Sequence, residues 1–137
     1  MRKIAYEEAN RTGSAIYEIK STELTAGTLG FWWCGRFGMH RWDMPIESLE
    51  GLDLASYDHV TICTPIWVFA LCAPVRSFCR KACGLIHKAD YIVVHHTRCF
   101  SYFNAADEMD SLLGIRSTGA RSICCKFGSY DKVKNRV

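Results

Sequence analysis

The sequence lacks a strong charge excess, a long hydrophobic run and any cysteine pair of the Cys-x-x-Cys type. Its 17 Lys and Arg residues against 14 Asp and Glu residues give a formal charge of +3, too small to indicate a nucleic-acid partner by itself. The longest uncharged run, residues 60–75, contains two prolines and is shorter than the ~20 residues that a membrane helix needs. No apolar signal core follows the basic residues 1–3. We therefore expect a soluble, cytoplasmic protein without membrane contact.

Apolar residues are plentiful, since 49% of the 137 residues are hydrophobic and 12% are aromatic. A chain of this length and composition can bury a sizeable core, and it is typical of one domain rather than several. We therefore expect a single domain over residues 1–137 and exclude general disorder.

The eight cysteines are interpreted as reduced and mostly structural. Several lie in predicted strands or on the apolar side of a predicted helix, where a thiol acts as a small hydrophobic group. Cys79 and Cys83 are four residues apart on one helix and could bind a metal, but no second ligand pair accompanies them. His95 and His96 precede Cys99, but adjacent residues of a strand point to opposite faces. We therefore predict no metal site.

Residues 57–84 carry the clearest pattern, a buried strand followed by a helix. Residues 57–67 form an apolar, β-branched run, which is typical of a buried strand. The helix begins at Pro74 and ends at Gly84, a residue suited to a left-handed C-cap. Between them, residues 64–73 form an apolar loop at the carboxyl end of the strand, where open α/β sheets bind ligands. The predicted inward residues are Val75, Phe78, Cys79 and Ala82, and the predicted outward residues are Arg76, Arg80 and Lys81.

This stretch resembles part of a known family. Tyr57-Asp58, the apolar strand, Thr64-Pro65-Ile66-Trp67 and the segment from Pro74 to Phe78 are similar to the third strand, flavin-side loop and third helix of flavodoxin-like proteins. The resemblance extends over about residues 4–130. It implies an α/β fold with an open parallel sheet, helices on both faces and FMN as the cofactor. The flavin-side residues that it implies are Thr64, Pro65, Ile66 and Trp67 in one loop and His96, Thr97, Arg98 and Phe100 in the next.

The resemblance also implies that the first strand of the fold is missing. Residues 2–10 are predicted to form the first helix and residues 14–20 the second strand. No segment is left for the first strand, or for the Ser/Thr- and Gly-rich turn that holds the FMN phosphate at a helix amino terminus. Residues 11–14 resemble such a turn, but they follow the helix. We therefore expect about four strands and weak or lost FMN binding, unless the natural coding frame begins further upstream.

A missing central strand is expected to leave unpaired backbone groups in the sheet. Either residues 15–19 pair directly with residues 60–64, or a second copy of the chain covers the exposed edge through residues 21–56. We expect the second arrangement, a homodimer.

Residues 21–56 have no clear period and are interpreted as an aromatic-rich excursion. Glycines alternate there with aromatic residues and with the cations Arg36, His40 and Arg41. Stacking aromatics beside cations are typical of proteins that bind single-stranded nucleic acid. The cations are few, so we favour packing on the domain or on a partner and predict no nucleic acid.

The rest of the chain alternates strands and helices. We predict a strand over residues 91–96, a helix capped by Asn104 and ending at Leu113, a last strand over residues 122–127 and a short final helix over residues 130–137.

The sequence leaves two functional hypotheses. The first is an FMN-dependent electron carrier or reductase, whose chemistry belongs to the flavin and whose partner is a redox protein. The second is a flavin-free, truncated relative that serves as an interaction module or dimerisation domain. No constellation of nucleophile, base and acid is visible, so we predict no catalytic side chain.

Overall fold

Five strands form one sheet in the computed structural model, which describes residues 1–23, 26–49, 51–97, 100–126 and 129–136. The strands are β1 (Val60–Trp67), β2 (Ala70–Leu71), β3 (Ala89–His95), β4 (Gly119–Lys126) and β5 (Ser129–Arg136). The helices are α1 (Arg2–Thr12), α2 (Gly27–His40), α3 (Ala73–Ala82) and α4 (Phe103–Leu113). Among the described residues, no helix is both long enough and apolar enough to cross a bilayer.

The strand order is β2-β1-β3-β4-β5. β1, β3 and β4 are parallel neighbours, and each connection passes through a helix, α3 after β1 and α4 after β3. The two outer strands are antiparallel, because β2 returns from β1 as a hairpin and β5 returns along β4. The predicted α/β class is therefore confirmed, with four long strands and the two-residue β2. The carboxyl ends of β1, β3 and β4 lie at one edge of the sheet.

The core has two parts, one on each face of the sheet. Tyr91 and Val93 of β3 pack with α3 and α4 in the larger cluster. The alternate residues Ile92 and Val94 pack on the other face with Ile4 of α1. Ile4 is the one buried residue of α1, so this helix depends on a small apolar contact and on its charged side chains.

α3 forms where it was predicted, although it ends at Ala82 and Gly84, with φ 81°, lies just beyond its end. Pro74 lies in its first turn, and the four predicted inward residues are all buried. The prediction that Arg76 faces outward is wrong, because its side chain is buried and its Nε donates to Glu108 Oε1 of α4 at 2.6 Å. Its terminal nitrogens donate to the carbonyl oxygens of Trp42 and Leu71 at 3.2 and 3.1 Å. These three acceptors provide the partners without which a buried guanidinium would be costly.

Residues 14–20 do not form the predicted strand. They run as irregular chain, and an isolated bridge joins Ser21 to Ile46. The alternative in which residues 15–19 pair directly with residues 60–64, which was not the favoured one, is therefore excluded for this chain. At the carboxyl end of β1, Ile66 pairs instead with Leu71 of β2. A hairpin return satisfies backbone groups of β1 locally, without a distant segment.

Residues 129–136 form β5, so the predicted final helix is also wrong. Eight residues would supply only about two helical turns, and such a short helix is marginal without packing. The edge of β4 offers a row of backbone donors and acceptors to the same residues. The helix predicted before β4 is confirmed, although Asn104 does not cap it, because the N-cap position is occupied by Tyr102.

α2 lies within the stretch for which no period was predicted. Its buried residues are Gly30 and Gly38, and Cys34 between them is half-buried, so small residues four apart form its inward stripe. A Cβ on Gly38 would lie 3.2 Å from Trp67 Cβ and 3.3 Å from Trp67 O. The helix therefore crosses the end of β1 closely because glycine is at this position. Such a helix lacks the stripe of large inward-facing apolar residues from which amphipathic helices are predicted.

Candidate functional site

Two loops meet at the carboxyl edge of the sheet. The first follows β1 and contains the hairpin to β2, and the second connects β3 to α4. The Phe69 ring of the first loop lies 6.5 Å from the ring of Phe100 in the second, edge to face, and 6.5 Å from the nearly parallel ring of Tyr102. Phe69 and Phe100 are exposed, whereas Tyr102 is buried. The result is a small aromatic cluster at the edge where open α/β sheets bind ligands.

The turn between β1 and β2 has an unusual backbone. Val68 and Phe69 both have positive φ, 48° and 62°, a combination that Asn-Gly usually provides in two-residue hairpins. A β-branched residue such as Val68 is strained in this conformation. Arg41 Nη1 donates to Val68 O at 3.1 Å and to Gly38 O at 2.7 Å, which fixes the turn against the end of α2. The turn could not be predicted from the sequence, because it contains no glycine, asparagine or proline.

The predicted residues of the first loop lie at the end of β1 but differ in exposure. Thr64 is fully buried, and its Oγ1 donates to Pro65 O at 3.0 Å and lies 3.3 Å from Cys72 Sγ. Pro65, Ile66 and Trp67 are half-buried, and the last two pack against the larger core cluster. The Thr64 hydroxyl is therefore engaged within the protein, and part of the Trp67 side chain serves to pack the core.

The second loop brings its predicted residues near the same edge. His96 and Phe100 are exposed, Thr97 is half-buried, and Arg98 lies outside the described residues. Of these, Phe100 joins the aromatic cluster, where its ring lies 5.9 Å from that of Tyr102. The described contacts do not bring His96 into that cluster.

Beneath the cluster lies His95, which sequence analysis did not assign to the site. Its Nδ1 lies 2.8 Å from Thr97 O and its Nε2 lies 2.7 Å from Ser122 Oγ. Because a carbonyl oxygen can only accept, Nδ1 carries a proton, and in the neutral ring Nε2 accepts from the Ser122 hydroxyl. The His95 ring lies 4.8 Å from that of Tyr102, so this imidazole supports the aromatic cluster from below.

Three of the described thiols are deactivated by burial. Burial raises the pKa of Cys63 and of Cys72 to about 11 and that of Cys79 to about 12. All seven described cysteines are free in this structure, while Cys99 lies outside the described residues. The described part of the chain contains no group of three metal-binding side chains.

A separate groove of about 470 Å³ lies on α2 and not at the carboxyl edge. It is lined by Glu23, Leu29, Trp32, Trp33 and Arg36. The Arg36 guanidinium lies over the rings of Trp33 and Trp42, 5.9 and 5.5 Å from their centres. This cation is already paired with aromatic faces of its own chain.

No protein-family model matches the chain, and no curated protein sequence matches it. A search of solved structures finds a flavoprotein from Lactobacillus acidophilus NCFM in complex with FMN. The two chains superpose with a TM-score of 0.66 at 15% sequence identity, over 86% of this chain and 82% of the flavoprotein. This chain therefore has an α/β fold similar to that of the flavoprotein, in agreement with the flavodoxin-like fold that the sequence predicts.

Proposed function

We propose that this chain binds the isoalloxazine ring of a flavin at the carboxyl edge of β1 and β3, and that it takes part in FMN-associated electron transfer or reduction. The observation that carries the proposal is the meeting of two loops in the cluster of Phe69, Phe100 and Tyr102. The FMN complex of the structurally similar flavoprotein supports it.

The aromatic cluster suits a flat ring better than a flexible polar ligand. Offset stacking on an aromatic face adds about 0.5–1.5 kcal/mol beyond the burial of area. Phe69 and Phe100 are both exposed, so a ring placed on them would remove apolar surface from water. Backbone groups of the loop after His95 would then meet the polar edge of the ring, as the resemblance implies.

Recognition of the FMN phosphate has less support. Residues 11–14 lie at the carboxyl end of α1, where Gly13 caps the helix with φ 70°, and this end of a helix repels anions. Arg41, which bonds to the β1–β2 turn, is engaged by the carbonyls of Gly38 and Val68. Without three charge-assisted hydrogen bonds to the phosphate, each of ~1.5–3 kcal/mol, FMN would bind roughly 10³- to 10⁶-fold more weakly. We therefore expect riboflavin and FMN to bind about equally, at micromolar affinity or weaker.

A flavin titration tests this proposal. Quenching of flavin fluorescence should saturate for both riboflavin and FMN, and Phe100→Ala should weaken both about 2- to 12-fold through lost stacking. Phe31→Ala is the matched control, because Phe31 is also an exposed phenylalanine (72% against 56% for Phe100) but lies on α2. Nanomolar FMN binding with strong preference over riboflavin would refute the expected loss of phosphate recognition, and equal effects of the two variants would place the ring elsewhere.

The flavin-free interaction module remains the second candidate. The observation that favours it is the exposure of Leu29, Phe31, Trp32 and Met39 on α2, more apolar surface than a monomer usually leaves in water. Complete absence of flavin binding in the same titration would favour this function over the first.

A further inference from the structure

In α2 the small residues face the protein and the large apolar residues face solvent, the opposite of the usual arrangement. Its inward stripe consists of Gly30, Cys34 and Gly38, whereas Leu29, Trp32 and Met39 point outward. Together with Arg36, the outward residues are spaced three, four and three apart, a spacing that places them on one side of a helix. Such a seam is typical of helices that pack against another helix.

The outward surface is large. Leu29, Phe31, Trp32 and Met39 are 75%, 72%, 71% and 66% exposed, and Trp33 and Trp42 beside them are also exposed. We call these six residues and Arg36 the α2 surface. At about 200 Å² for each large side chain, the exposed apolar side chains amount to roughly 700 Å² per chain. This approaches the ~800 Å² that each partner contributes to a standard protein interface.

We propose that the α2 surface is the contact between two copies of this chain, which form a symmetric dimer. The proposal does not depend on flavin binding. A two-fold dimer requires a patch that is complementary to itself. The groove on α2 meets this requirement, because it contains one carboxylate, Glu23, and one guanidinium, Arg36, between Leu29, Trp32 and Trp33.

In the dimer, Glu23 of one copy pairs with Arg36 of the other, and the same pair recurs on the opposite side of the two-fold axis. Both groups are held in place in the single chain. Trp33 Nε1 donates to Glu23 Oε2 at 3.1 Å, and Arg36 lies over the Trp33 and Trp42 rings. Groups that are ordered before binding lose less entropy on association. An anionic bilayer would accept Arg36 and the aromatic residues but would repel Glu23.

The solution mass of the intact 137-residue chain tests the dimer. Light scattering coupled to size exclusion, over an about hundredfold range of concentration, should give twice the 15.6 kDa chain mass. Trp32→Glu should raise the dimer dissociation constant at least about 30-fold, since it places a charge in the centre of the contact. Leu85→Glu is the control, because Leu85 is an exposed leucine in the connection between α3 and β3, outside the α2 surface, and its replacement should leave the dimer unchanged.

A charge exchange separates a lost interface from a damaged helix. Glu23→Arg alone and Arg36→Glu alone should each be monomeric, because each places two like charges together at both ends of the contact. Mixing the two variants should restore a dimer of one copy of each, in which both pairs are again opposite in sign. A wild-type chain that is monomeric at every concentration would overturn the proposal, and so would a monomeric chain that sediments with anionic vesicles. A mixture that stays monomeric, or single variants that dimerise like wild type, would also overturn it.

Discussion

The buried guanidinium of Arg76 and the carboxylate of Glu108 form an ion pair of 2.6 Å between α3 and α4. The same guanidinium binds the carbonyl oxygens of Leu71, at the end of β2, and of Trp42, just after α2. The Arg76 side chain therefore connects α3 and α4, the two helices that follow the site loops, to the β1–β2 hairpin. A charge so placed fixes the relative position of these segments, provided that all its donors are paired.

Replacing Arg76 by methionine should lower the free energy of unfolding by about 2–4 kcal/mol, because two carbonyls and the Glu108 carboxylate would lose their donor. Urea unfolding at neutral pH measures the loss. Arg80→Met is the control, since Arg80 pairs with Asp43 at the surface and should cost no more than about 1 kcal/mol. Equal costs for the two variants would show that the buried ion pair does not stabilise the fold.

Two glycines of α2 should respond in opposite directions to alanine. Gly35→Ala should stabilise the protein by about 0.5–1 kcal/mol, because no atom lies within 4 Å of the new Cβ and alanine favours a helix. At Gly38 the new Cβ would lie 3.1 Å from Val68 Cγ2, 3.2 Å from Trp67 Cβ and 3.3 Å from the carbonyl oxygen of Trp67. Gly38→Ala should therefore destabilise the protein by about 1 kcal/mol or more, despite the same gain in helix propensity. Thermal unfolding of both variants decides this, and stabilisation by both would mean that α2 does not pack closely on β1.

Glu8 should make stability depend on pH in acid. Hydrogen bonds from Arg11 lower the pKa of Glu8 to about 2. Partial burial of Glu8 acts in the opposite direction, and Arg121 of β4 lowers the pKa further. Because the pKa of Glu8 is lower in the folded protein than the value of about 4.3 in the unfolded chain, ionised Glu8 stabilises the fold fully at pH values above about 4.3. This stabilisation is lost as the pH falls through the folded-state pKa of about 2. Because Arg11 is largely exposed, we discount the shift and expect Glu8→Gln to cost about 1–2 kcal/mol at pH 7.

The difference between wild type and Glu8→Gln should shrink below about pH 4 and vanish near pH 2. Glu7→Gln is the matched control, since Glu7 faces Lys3 at 3.9 Å with both groups exposed, and its effect should be near zero. Unfolding curves at several pH values measure both. A Glu8→Gln penalty that persists unchanged at pH 2 would contradict the assigned pairing with Arg11 and Arg121.

Thiol reactivity should follow burial. Cys83 is exposed, whereas burial raises the pKa of Cys72 to about 11 and that of Cys79 to about 12. At pH 8 a thiol reagent should modify Cys83 rapidly and reach Cys72 and Cys79 only after unfolding, because the thiolate is the reactive form. Mass spectrometry of peptides locates the label, and Cys83→Ser should remove one rapidly reacting thiol. Rapid labelling of Cys72 in the folded protein would contradict its position in the core.

The sequence predicts elements whose large apolar residues face the core. β1, β3, α3 and α4 follow this rule, so their order, their parallel pairing and the edge that carries the two loops could be inferred. α2 breaks the rule because close approach at Gly38 places small residues inside. The hairpin at Val68 and Phe69 breaks another rule, since its positive φ values are carried by residues that rarely form such turns.

The burial of Arg76 and the secondary structure of residues 129–136 are set by tertiary contacts that the local sequence does not show. The spacing of Arg76 on its helix gave no sign of burial, because the carbonyls of Trp42 and Leu71 come from other segments. β5 depended on the open edge of β4 rather than on the pattern of residues 129–136. At the candidate site, Phe100 was named only because the resemblance implies a flavin-side role for its loop, and its contact with Phe69 could not be predicted from the sequence.

The location of the flavin ring can be measured directly by titrating ¹⁵N-labelled protein with riboflavin and following the backbone amide signals. The proposed site at the carboxyl edge predicts progressive shifts in residues 64–72 and 96–103, the two loops joined by Phe69, Phe100 and Tyr102, with little change in α2 or β5. Shifts confined to α2, or no shifts up to the solubility limit of riboflavin, would contradict it.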